Sequence, residues 1–174
     1  DVAKSYAQKA LALNATYADT WVMLAWCYIE ERKYDSALEC AKIADGLNPY
    51  NTLIRNAMAL SYSYLHNTEA AIRIWRDLAD RDTSAYDAPY NLARVYLLNG
   101  DLVQYEHYLS VAARRSDAPS DLSIELAKCS LRKGDIRSAA VACRQALAKG
   151  ADSVQVAAFA QTNPQLAQLL GLRR

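Results

Sequence analysis

The chain has 174 residues, 52% of them hydrophobic and 22% charged, enough apolar surface to bury a core and to exclude disorder. At roughly 100–200 residues per domain this length makes one domain, and no apolar run approaches the ~20 residues that a membrane span needs. The net charge of +1 excludes bulk attraction to nucleic acid.

The charge is nonetheless uneven. Residues 1–113 hold 10 basic and 14 acidic side chains (−4), and residues 114–174 hold 10 basic and 5 acidic (+5). This reads either as solvated helix faces or as polar ends that guide docking of a partner or of another copy. The chain starts at Asp1 rather than Met, so an upstream portion is expected to have been removed. The compartment stays open between cytoplasm and periplasm.

Along the chain, small and aromatic residues recur every 34 positions. Residues 1–17 carry Ala3, Ala7 and Ala10 at helical spacing. Residues 18–51 hold two apolar runs: Trp21, Leu24, Ala25 and Tyr28, then Ala37, Leu38, Ala41 and Ala44. Spacings of three and four place each run on one helix face, and a short turn between them predicts a helix–turn–helix hairpin. Residues 52–85 repeat the columns with Met58, Ala59, Tyr62, Ala71 and Leu78, and Thr68 is the expected N-cap of the second helix. Residues 86–119 supply Leu92, Ala93, Tyr96, Tyr105 and Ala112, with Asp101 capping after Gly100. Residues 120–151 supply Leu126, Ala127, Ser130, Ala139 and Ala146, with Ser120 and Asp135 as caps. Residues 152–174 lack the columns. There Asn163-Pro164 places a cap ahead of proline at the first helical position.

Trp21, Leu24, Ala25, Tyr28, Ala37, Ala44 and Pro49 resemble the tetratricopeptide repeat in both pattern and length. The resemblance covers nearly the whole chain. It implies one all-α domain over 1–174, an α-solenoid (right-handed superhelix) of antiparallel hairpins. Residues 1–17 are the second helix of a truncated repeat, 18–51, 52–85, 86–119 and 120–151 are repeats, and 152–174 form C-terminal capping helices. A hairpin cannot bury its apolar face alone, so neighbours must stack. Two residues depart from the pattern. Pro89 replaces the Trp21 equivalent, and Tyr105 replaces alanine, which is expected to wedge its hairpin apart or to turn outward.

Little points to chemistry. Cys27, Cys40, Cys129 and Cys143 show no C-x2-C spacing, so a zinc site is not expected. They read as buried small residues, with a disulfide open as the alternative in a periplasmic setting. His66 and His107 read as surface residues. Glu30-Glu31 and Asp80-Arg81-Asp82 read as solvated charge runs. Glycine-rich phosphate loops are absent, and no enzyme activity, catalytic residue, metal or cofactor is expected.

By the resemblance, first helices line a concave groove. The groove residues it implies are Val22, Trp26, Ile29, Asn56, Leu60, Tyr64, Tyr90, Arg94, Lys128 and Arg132. Trp26, Tyr64 and Tyr90 would be aromatic anchors, and Arg94, Lys128 and Arg132 a basic end. The expected partner is a peptide or amphipathic helix with apolar anchors and an acidic flank; nucleic acid and membrane insertion are not expected, and self-association stays open. The carboxylate clamp of co-chaperones in this family needs Lys and Asn where this chain has Val22 and Trp26, or Asn56 and Leu60, so that activity is rejected. The function implied is a non-catalytic interaction scaffold, with a lean towards bacterial secretion, pilus or envelope assembly. Alternatives are a chaperone for secreted substrates, a self-assembling scaffold and the docking domain of a larger enzyme.

Overall fold

The computed structural model describes residues 2–172. The described residues are all-α and form eleven helices without a strand. The fold is an α-solenoid of antiparallel hairpins. It divides into two compact units, one ending at Arg81 and one starting at Asp82.

In the first unit, α1 (Val2–Leu13) packs on the hairpin of α2 (Ala18–Glu30) and α3 (Tyr34–Leu47). The hairpin of α4 (Thr52–Tyr64) and α5 (Thr68–Arg81) then stacks on α2 and α3 through α4. In the second unit, α6 (Asp87–Leu98) pairs with α7 (Leu102–Arg114), and α8 (Ser120–Arg132) with α9 (Ile136–Ala148). The helices α10 (Ser153–Gln161) and α11 (Pro164–Leu169) close over α9.

The alanine columns do the packing. Ala25, Ala59, Ala93 and Ala127 are all fully buried, as are Ala37, Ala71 and Ala139. A methyl group at these positions lets two helix backbones approach closely, and within each unit neighbouring helices then cover one another's apolar faces. Pro89 is fully buried in the first turn of α6, where a missing N–H leaves no intrahelical bond unmade.

Every hairpin closes through the same three-residue turn. Arg32, His66, Gly100 and Gly134, each 34 residues apart, take positive φ of 59°, 61°, 76° and 78°. The following amide bonds back over the helix end: Lys33 N–H to Tyr28 O, Asn67 N–H to Tyr62 O and Asp101 N–H to Tyr96 O at 2.9 Å, and Asp135 N–H to Ser130 O at 3.0 Å. This is the Schellman closure of a helix C-terminus. The residue that makes the bond is also the N-cap of the second helix, so no linker is needed.

The caps partly depart from expectation. Asp101 and Asp135 accept the amides of Gln104 (3.1 Å) and Ser138 (3.0 Å), and Asn163 accepts those of Gln165 and Leu166 at 3.0 Å each. At α5 the cap is Asn67, accepting from Ala70 N–H at 3.3 Å, not Thr68. Ser120 is already inside α8, and the Pro119 ahead of it offers no side-chain cap.

Candidate functional site

A concavity lies within the second unit. A half-open cleft of about 880 Å³ is bounded by the end of α6, the start of α7, one face of α8 and Gln155 of α10. Leu97, Leu102 and Ile124 give it apolar walls, and Lys128, Arg132 and Lys133 stand along it with Glu106, Asp121 and Glu125. Two of these carboxylates are already engaged: Glu106 pairs with Lys133, and Glu125 Oε1 accepts the Tyr105 hydroxyl at 2.6 Å. Lys128 is exposed on the α8 face.

Tyr105 supplies the floor. It is buried rather than turned outward, and Leu92, Ala93 and Leu109 of the same hairpin are fully buried, so α6 and α7 stay closed. The ring instead carries its hydroxyl across to α8. Burial, and then the bond to Glu125, push the Tyr105 hydroxyl well above the usual phenol range, so it remains a donor at neutral pH. Arg132 Nη2 donates to Cys129 Sγ at 3.2 Å, and Cys129 Sγ–H donates weakly to Tyr105 Oη at 3.8 Å. The chain Arg132–Cys129–Tyr105–Glu125 holds a cation and an anion at set places on the cleft wall. Such an arrangement is suited to orienting a bound polar group.

The expected groove residues separate into those that share this cleft and those that do not. Lys128 and Arg132 line it. Tyr90 and Arg94 lie on α6 outside its lining; Tyr90 is half-buried and tilts against Tyr86, with ring centroids 6.4 Å apart, and Arg94 is exposed. In the first unit, Trp26 and Ile29 are half-buried on the core of α2 to α4, and Leu60 is half-buried on α4. Tyr64 is exposed, stacked on Tyr34 at 4.3 Å. Two residues have other work. Val22 is only 5% exposed, in one cluster with Ile54 and Ala57 of α4, so it offers no surface to a partner. Asn56 Oδ1 accepts the indole N–H of buried Trp75 at 2.8 Å.

Sequence reasoning missed Glu125, Glu106 and Gln155 as cleft residues. For Glu125 a signal existed in the departure at Tyr105, since a buried phenol needs a hydrogen-bond partner. The charge runs are also more structured than solvated faces. Glu31 accepts from Lys4 and Lys33 at 2.8 Å each. Asp82 accepts from Ser84 and Ala85 and shapes the turn before α6.

The four cysteines are free thiols, three buried and Cys27 half-buried, and burial pushes the Cys40 and Cys143 thiols up. His107 is exposed and meets Tyr108 edge-on. Among the described residues, no group of three or more His, Cys, Asp and Glu is placed to hold a metal, and no helix is long and apolar enough to cross a membrane.

A family model described as tetratricopeptide repeat matches residues 6–39, and a second of the same description matches residues 56–104. No curated protein matches the sequence. Solved structures do. MamA matches with a TM-score of 0.69 at 17% identity, over 87% of this chain and 89% of that one. A thermophilic TPR protein of Thermus thermophilus matches at 0.64 and 18% identity, over 97% and 89%. YrrB, described as a TPR protein with an unusual peptide-binding site, matches at 0.64 and 13% identity, over 95% and 89%. At such identities the likeness is one of fold.

Proposed function

This chain belongs to the tetratricopeptide repeat family, and from that premise we propose that it is a non-catalytic scaffold that holds a partner peptide or helix in the cleft of its second unit. Stacked repeats of this kind present extended surfaces for protein partners. The observation that carries the reading is the cleft itself: apolar walls at Leu97, Leu102 and Ile124 beside Lys128 and Arg132. Apolar walls with a few fixed polar groups are what a segment with apolar anchors and an acidic flank requires. Trp26, Ile29, Leu60 and Tyr64 are proposed as a second contact surface on the first unit. The proposed setting, bacterial secretion, pilus or envelope assembly, rests on the resemblance of its Ala-rich repeats alone.

Site-specific photo-crosslinking in cells tests the cleft. A photoreactive residue at Ile124 is expected to give a discrete partner adduct that Lys128→Glu abolishes. A photoreactive residue at exposed Val141 of α9 is the control. Adducts from position 141 alone would move the binding surface out of the cleft.

A further inference from the structure

The turn between α6 and α7 breaks the pattern of the other turns. Its flanks are Leu97, Leu98, Leu102 and Val103, and Leu98 and Val103 are 81% and 74% exposed. At the positions of Leu98 and Val103 the first repeat has Glu30 and Asp35, the second Tyr64 and Glu69, and the fourth Arg132 and Arg137. Each of the other three turns therefore carries at least one charge where this one carries only aliphatic surface. Folding does not demand the substitution, because the same backbone closure forms in all four turns. Leu97 and Leu102 line the cleft and Val103 a neighbouring concavity between α7 and α9, and exposed aliphatic surface gathered on one turn is costly to keep in water unless something covers it.

Charge indicates what covers it. Leu97 and Leu102 line the same cleft as Lys128, Arg132 and Lys133. Lys133 pairs with Glu106, which also lies near Arg132, and Glu125 is taken up by the Tyr105 hydroxyl. Lys128 and Arg132 are exposed cations of the last two turns of α8, whereas the remaining carboxylate of the lining, Asp121, stands in its first turn. The turn thus carries aliphatic surface, and the positive charge of α8 is gathered at its C-terminal end, with its carboxylates nearer the start.

We propose that the α6–α7 turn is a docking edge for an acidic amphipathic segment of a partner protein, whose aliphatic side chains cover Leu98, Leu102 and Val103 and whose carboxylates reach Lys128 and Arg132. The inference rests on the cleft reading above and extends it. The bound segment leaves the cleft over this turn, and the acidic residues select the partner. Apolar contact supplies the anchor, and the cations supply discrimination and a salt-dependent association rate.

A random short-peptide library displayed on yeast, sorted against the purified full chain, tests this. Enriched peptides are expected to combine aliphatic residues with Asp or Glu. Their affinity should fall about tenfold in Leu98→Gln/Val103→Gln, and about tenfold in Lys128→Glu/Arg132→Glu with loss of salt dependence. Thermal unfolding of the turn variant should be unchanged, since both positions are exposed. Peptides that weaken in Ile124→Gln but bind Leu98→Gln/Val103→Gln normally would overturn the docking edge and leave the cleft reading standing. Enriched peptides without acidic residues would also overturn it. No enrichment, or peptides indifferent to all three variants, would sink both readings.

Discussion

At the scale of single residues, the hairpin turn is one backbone solution filled in two ways. Two turns use glycine, and two place Arg32 and His66 in the left-handed region, which costs a side chain about 1–2 kcal/mol of backbone strain. Arg32→Gly and His66→Gly are therefore each expected to stabilise the chain by up to about 1 kcal/mol, less the added entropy of the unfolded chain; urea midpoints measure it. Glycine in the last two turns was plain in the sequence, but nothing local marked Arg32 and His66. Only the 34-residue register places them at the same point.

Glu31 shows a second residue-level effect. Its bonds from Lys33 and Lys4 hold its carboxyl down from 4.5 to about 2. The folded state then binds fewer protons than the unfolded chain between those values. The stability contributed is fully present above pH 4.5 and is lost as pH falls towards 2. Glu31→Gln should flatten that part of the stability–pH curve and leave its neutral-pH slope unchanged. The caps were legible where Asp follows Gly. They were misplaced at Thr68 because the residue that closes one helix also opens the next, a coincidence that only the turn geometry reveals.

At the scale of elements, the hairpins are held by small-residue columns and by a few large side chains whose neighbours differ from repeat to repeat. Trp75 on α5 is almost wholly buried and depends on Asn56 of α4 for its indole N–H. Asn56→Ala leaves that donor without this acceptor and is expected to cost about 1–3 kcal/mol. Asn56→Ala combined with Trp75→Phe should cost less than the sum of the two changes, and a double-mutant cycle in urea checks the coupling. The alanine columns were readable because close backbone approach demands a methyl group whatever lies opposite. The roles of Asn56, Val22 and Tyr105 were not. Periodicity tells which face of a helix is covered, but not which neighbouring side chain covers it. Val22 is enclosed because α4 lies against α2, and Tyr105 reaches α8 because glutamate stands there to receive its hydroxyl.

At the scale of the whole molecule, stability in a repeat array is close to a sum over repeats and their nearest neighbours. The closing pair α10–α11 belongs to this sum through Leu166, fully buried against Ala139, Ala142 and Cys143. Leu166→Ala should cost about 2–5 kcal/mol locally. Hydrogen exchange should show α9 to α11 losing protection while α2 and α3 keep theirs. The cleft was half legible at this scale. Lys128 and Arg132 were placed by family register, whereas the walls from α7 and α10 depend on contacts that no repeat pattern encodes.

One interior column has a consequence for the ancestry of the chain. Ala41, Trp75, Leu109 and Cys143 occupy the same step of four successive hairpins, and each is buried, yet they range from a methyl group to an indole. Each cavity has been cut to its own occupant. Transposing two of these modules, or duplicating one in place, would set an indole where there is room for a methyl, or leave a void where an indole belonged. The segments look interchangeable on paper, but each now fits only its own place in the series, and recombination between them should yield chains that fail to fold.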